Sequence, residues 1–224
     1  MVAALDARGH DIVTAAVRAA EAETSGEIVT IVTQQSDKYH DAAIQYAVLV
    51  MFVALGFYAA FPHFYERLIV TATGGWDVPD TRILLLIVMV ALALKYLGTR
   101  LILAWMPLRI WLVPKATKRR RVRRRAMELF KVGAEARTAG RTGILIYLSM
   151  REHMAEIIAD EAIHAKVPED RWGEAMVALV AEVKQGRVAE GMAAAVTQVG
   201  AILREGLPRL EGDVNELPDR LIEL

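Results

Sequence analysis

"TGILIYLSMREHMAEIIAD", residues 142–160, decides how the rest of the chain is read. Two apolar runs of strand length, "TGILIYLS" and "MAEIIAD", are joined by "MREH", and that spacing predicts an antiparallel hairpin. A third run lies more than a hundred residues upstream: "EIVTIVT", residues 27–33, whose β-branched pairs at Ile28, Val29, Ile31 and Val32 fill both faces. That is the pattern of a strand covered on two sides. Before it, Leu5, Ile12, Val13, Ala16, Val17 and Ala20 recur at helical spacing, and Gly26 stands where the helix stops. One helix and one strand cannot close a core, so the upstream piece needs the downstream strands.

Two helices follow the hairpin. "VPEDRWGEAMVALVAEVKQG" puts Trp172, Met176, Leu179, Val180 and Val183 on one face, with Pro168 at its start and Gly186 at its end. "RVAEGMAAAVTQVGAILREGLP" repeats the pattern through Val188, Met192, Val196, Val199 and Leu203. The sum is an α/β domain with a three-to-four-stranded sheet flanked by helices. The tail, residues 209–224, has acids, turn signals and no period, and reads as an extended strap or a mobile end.

Between the two halves lies the hydrophobic excess of a chain that is 54% hydrophobic with mean hydropathy +0.29. "AAIQYAVLVMFVALGFYAAF", residues 42–61, holds twenty residues without a formal charge, the length that crosses ~30 Å of hydrocarbon. The second stretch, "RILLLIVMVALALKYLGTRLIL", is interrupted by Lys95, which can snorkel to an interface. "AWMPLRIWLVP" after it suits a segment lying at the interface. The connecting "HFYERLIVTATGGWDVPDT" reads as a loop with Phe64, Tyr65 and Trp76 at headgroup-like positions and Arg67 as its one Lys or Arg. A two-helix transmembrane hairpin is the expectation.

"KATKRRRVRRRA", residues 115–126, then packs eight Lys or Arg into twelve positions: Lys115, Lys118, Arg119, Arg120, Arg121, Arg123, Arg124 and Arg125. The chain has no net charge, so elsewhere 19 basic residues face 27 acidic ones, a surface that repels a polyanion. No aromatic residue interleaves the run as a stacking platform, and nucleic acid is not the expected partner. By the positive-inside rule the run is a topology determinant lying against anionic headgroups, which places the short loop outside and both termini in the cytoplasm of a bacterial inner membrane. The absence of cysteine excludes disulfides and thiolate chemistry and fits a reducing compartment. The first thirty residues carry acids throughout, and no cleavable signal or transit peptide is expected.

The order of pieces resembles the TPM domain family. The resemblance rests on "SGEIVTIVTQQS", on "RTGILIYLSMREHMAEIIADEAIHAKVPEDRW" and on "VKQGRVAEGMAAAVTQVGAIL". More narrowly, the chain is similar to a bacterial membrane branch in which two spans interrupt the domain. The resemblance implies a small α/β/α sandwich, and members have been linked to acid phosphatase activity, divalent-cation binding and accessory roles beside membrane complexes. The family's Gly-x-Gly-Leu-Glu-Gly turn after the third strand stands here as "DEAIHA", with Asp160 and Ala162 at the glycine positions and His164 at the acidic one. The acid that follows in the family is matched loosely by Glu169 or Asp170.

Asp160, Glu161 and His164 form the best local constellation. Two carboxylates and an imidazole in one turn can hold a divalent cation or exchange protons, and the same three can also be a solvated strand-to-helix turn. His10, His40 and His153 have no neighbouring nucleophile pattern. "ARTAGRTG", residues 136–143, lacks phosphate-loop spacing. The expected organisation is residues 1–41 and 126–208 as the two parts of a TPM-like domain, 42–114 as the hairpin with an external loop at about 62–81, and 115–125 as the basic flank. The expected function is a membrane-anchored accessory or binding module facing the lipid bilayer and a protein partner. The alternative is a metal-assisted phosphatase with a divalent cation at Asp160, Glu161 and His164.

Overall fold

The computed structural model describes residues 5–74, 80–135, 142–168, 171–209 and 217–224. Two compact units divide the chain, residues 38–114 forming one and residues 1–37 with 115–224 the other.

In the split unit, α1 (Ala7–Glu21) starts at Asp6, whose carboxylate accepts the Gly9 N–H at 2.8 Å and so satisfies one of the helix's orphan amides. It leads into β1 (Glu27–Thr33), all seven residues of which are buried. After the hairpin unit come α6 (Lys115–Phe130), which runs on into a π turn over Lys131–Glu135, then β2 (Gly143–Ser149) and β3 (Met154–Ala159). The remainder is α7 (Glu161–His164), α8 (Trp172–Val183), α9 (Val188–Gly206) and β4 (Ile222–Glu223).

The four strands make one mixed sheet in the order β3-β2-β1-β4. β1 pairs parallel with β2, Glu27 opposite Gly143 through Thr33 opposite Ser149, while β2 pairs antiparallel with β3, Ile144 opposite Ala159 through Ser149 opposite Met154. Because side chains alternate along a strand, this register sorts the apolar residues onto two faces. Ile28, Val32, Ile144, Ile146 and Leu148 pack with Val13 and Val17 of α1, Leu179 of α8, and Met192, Val196 and Val199 of α9. Val29, Ile31, Leu145, Tyr147 and Ile158 pack with Val122, Ala126 and Phe130 of α6. The sheet is thus covered on both faces, as the doubly apolar "EIVTIVT" predicts.

Four local expectations change or sharpen. The basic run is not a separate flank: it is the first part of α6, whose buried Val122, Ala126 and Phe130 fall at i, i+4 and i+8 and make it a core helix. In α8 the buried face is Trp172, Ala175 and Leu179, whereas Val180 is exposed. Gly191 of α9 lets the two helices approach, since a Cβ added there would lie 2.9 Å from Leu179 O, a contact that an apolar count underweights. The end of the tail is ordered, with Ile222 and Glu223 pairing parallel beside Ile31 and Val32 and with Leu217 and Leu221 buried. It is a strap, too short and irregular to show a strand period; residues 210–216 of that tail lie outside the described residues.

The fourth change is in the hairpin unit. Here α2 (His40–Ala60) packs along α4 (Thr81–Ile102), and between them α3 (Pro62–Thr73) occupies most of what reads as a loop. Pro62 fits the first turn of α3, where a missing N–H costs nothing, and Gly74 closes the helix in the left-handed region at φ 64°. Gly75 and Trp76 of the expected loop lie outside the described residues. Both α2 and α4 are long and apolar enough to cross a membrane, each with an 18-residue window of mean hydropathy 1.9. Only 17% of the first window and none of the second is buried by the chain itself. At the base comes α5 (Met106–Leu112), where Trp105 just before the helix and Trp111 within it are exposed and Arg109 between them in sequence is buried. The Arg109 guanidinium donates to Leu103 O at 2.7 Å and to Lys38 O at 2.9 Å, tying the end of α4 to the approach of α2.

Candidate functional site

Strand β3 is an edge of the sheet, and along it runs a cleft of about 790 Å³. Its walls come from both helical layers: Arg119, Arg123, Met127 and Phe130 of α6 on one side, Trp172 and Met176 of α8 on the other. The floor is β3 itself, and one end is closed by Asp160, Glu161 and His164. Sequence order alone places these last three at the carboxyl end of a strand; the fold adds the basic wall from a helix that precedes β2.

The three do not form an ion site. Asp160 is buried, its Oδ2 accepts the Gly143 N–H at 3.2 Å and its own N–H donates to Gly143 O at 2.9 Å, so it finishes the β2–β3 ladder. Glu161 and His164 are exposed on the one-turn α7. Among the described residues no group of three His, Asp or Glu side chains is placed to hold a metal. Asp160, Glu161 and His164 therefore do not by themselves make the cation site that the family turn implies; Glu169 and Asp170 lie outside the described residues.

The basic run separates into engaged and free members. Arg121 donates to Asp37 Oδ2 at 3.0 Å, Arg124 approaches the same oxygen at 3.8 Å, and Arg124 and Arg125 reach Glu128 at 3.7 and 3.5 Å. Lys115, Lys118, Arg119, Arg120 and Arg123 have no carboxylate at ion-pair distance among the described residues. Arg119 and Arg123 instead look onto Glu156, whose carboxyl is held above the usual range by burial, an effect the two guanidinium groups partly offset.

A second polar cluster sits at the carboxyl ends of β1 and β2. Glu152, buried in the β2–β3 turn, accepts the Ser149 hydroxyl at 2.6 Å and the Ser36 N–H at 2.9 Å, and the Ser36 hydroxyl meets Tyr147 OH at 2.9 Å. Burial pushes the Tyr147 phenol up, with the Ser36 contact working against it. His153 of this turn is exposed with φ 51°. Reading the sequence passes over Glu152, since "MREH" gives no sign that a serine 116 residues upstream closes onto it.

A small mixed sheet between helical layers, with a basic and apolar cleft along its free edge, defines an α/β/α domain. The profile of the TPM domain family matches residues 106–202, a stretch that takes in α6, β2, β3 and α8 but leaves out α1 and β1 upstream of the hairpin. The NMR structure of the BA42 protein from the psychrophilic bacterium Bizionia argentinensis is similar in fold, with a TM-score of 0.57 at 18% identity over 98% of this chain and 95% of that one. No curated protein matches the sequence.

Proposed function

We propose that the protein is a membrane-anchored binding module of the TPM branch in which two spans interrupt the domain. On this reading it sits in a bacterial inner membrane, with α2 and α4 as spans, α3 and the residues after it outside, and the TPM domain and both termini in the cytoplasm. The domain serves as an accessory unit that docks on a protein partner or membrane complex. The carrying observation is that α2 and α4 turn large apolar side chains outward, Phe52 at 61%, Leu85 at 63% and Leu94 at 64% exposure. Water would not tolerate so continuous a surface, whereas lipid would. The free cations Lys115, Lys118 and Arg120 directly follow the hairpin in sequence and add roughly 1 kcal/mol each of attraction to an anionic surface. Lys95 reaches the interface by snorkelling. Photo-crosslinking in native membranes tests the reading: a reproducible heterologous product is expected, and self-products alone would refute it.

A further inference from the structure

Edge strands in folded proteins are covered, charged or interrupted, because an open row of backbone groups templates another strand. β3 is six residues long and carries no Pro or Lys. The pairing of Asp160 N with Gly143 O fixes which of its residues face β2. By antiparallel alternation Met154, Glu156 and Ile158 bond inward, and the N–H and C=O groups of Ala155, Ile157 and Ala159 turn away from β2, the edge being open along Ala155 and Ile157 and buried at Ala159. Among the described residues none of these outward groups makes a backbone hydrogen bond elsewhere.

Two further observations indicate that this edge is meant to be occupied. Trp172 lines the cleft at 7% exposure, and its Nε1 is enclosed without an acceptor among the described residues. An enclosed indole N–H left unpaired is costly, and a turn of the indole toward an acceptor on a bound ligand would relieve it. The charge along the groove is also polarised. At the Met154 end a hollow of about 540 Å³ is bounded by Lys115, Arg119, Arg120 and Arg123, with no carboxylate in its lining. The acids lie further along: Glu156 answers Arg119 and Arg123, and Glu161 stands at the far end.

We infer that the cleft binds an extended peptide segment of a partner protein by strand addition to β3, with Asp or Glu side chains of that segment lying at the Met154 end. This rests on the reading of the chain as a binding module and names how its partner is held. A segment matching β3 spans about 20 Å. Its backbone pairs with Ala155 and Ile157, its acids meet Arg119 and Arg123, and its apolar side chains lie between Met127 and Met176. Main-chain bonds supply affinity, and alternate side-chain positions supply selectivity.

The test uses the full chain in lipid nanodiscs and a phage-displayed random octapeptide library as probe. Ala155→Pro removes an outward N–H without touching the β2 ladder. Arg119→Gln with Arg123→Gln, both at exposed positions, removes the charge and keeps the fold even if the proline variant does not. Selected peptides are expected to carry Asp or Glu toward one end and β-branched residues beyond. They should bind each variant about tenfold or more weakly, the loss of one or two such bonds. No enrichment on the wild-type chain, equal binding to the arginine variant, or pairing of β3 with a second copy would each overturn the proposal. Unchanged heterologous crosslinks in Ala155→Pro membranes would defeat strand addition and leave the binding module standing, whereas an absence of crosslinks in wild-type membranes would defeat the module itself.

Discussion

Glu21 ends α1 with a carboxyl pushed up to about 8, chiefly by burial, with Glu27 and Asp219 adding to the rise and the Ile28 N–H at 2.8 Å opposing it. The folded protein therefore holds a proton there that the unfolded chain releases above its ordinary value of 4.5. Between those two values the native state binds more protons, so this group makes stability fall as pH rises through the window. In Glu21→Gln, which keeps the amide acceptor, that part of the slope should vanish in denaturant melts compared across the window; an unchanged slope would show that Glu21 is ionised in the fold. Asp160 gives a second prediction. Losing its carboxylate leaves the Gly143 N–H unsatisfied, so Asp160→Ala should cost about 1–3 kcal/mol of stability. Calcium, magnesium or zinc should leave the amide resonances of residues 160–164 of the wild-type chain in place. Saturable shifts there would revive the cation site and the metal-assisted phosphatase with it. From sequence, a carboxylate that completes a strand ladder and one that binds a metal look alike. Glu152 and Arg109 were invisible for a related reason, since their partners lie across the fold or around a hairpin base.

The elements that could be read from sequence are those whose apolar period is uninterrupted: β1, β2, β3 and α9 all fall where the pattern puts them. Helix α6 was misread because charge masks its core face. Eight cations dominate the composition, yet the three buried positions Val122, Ala126 and Phe130 are what attach it to the sheet. Close helix packing was equally hidden. A Cβ added at Gly200 of α9 would lie 2.6 Å from the Ala20 Cβ and 3.2 Å from its Cα in α1. Gly200→Ala should therefore lower stability by roughly 1–3 kcal/mol, because the backbone of α1 must shift, even though alanine is the better helix former. A thermal or denaturant melt decides it, and a stabilised variant would mean that α1 and α9 are farther apart than described.

At the scale of the whole chain, the sequence order of strand, apolar hairpin and second strand pair was enough to foresee one domain assembled from both sides of an insertion. What it left open was the tail, whose Ile222 and Glu223 close the sheet beside β1 while Leu217 N–H reaches the buried Glu27 at 3.2 Å. It also hid that the domain resumes with Lys115 and not after the basic run. The claim on which the rest depends is that α2 and α4 cross a membrane and leave the split α/β domain inside. The chain has no cysteine, so single cysteines at the exposed Ala72 and Glu190 are clean reporters. In intact cells Ala72→Cys should react with an impermeant maleimide and Glu190→Cys only after permeabilisation. Labelling of both from outside would invert the topology, and protection of both together with release into the soluble fraction would contradict the membrane anchor.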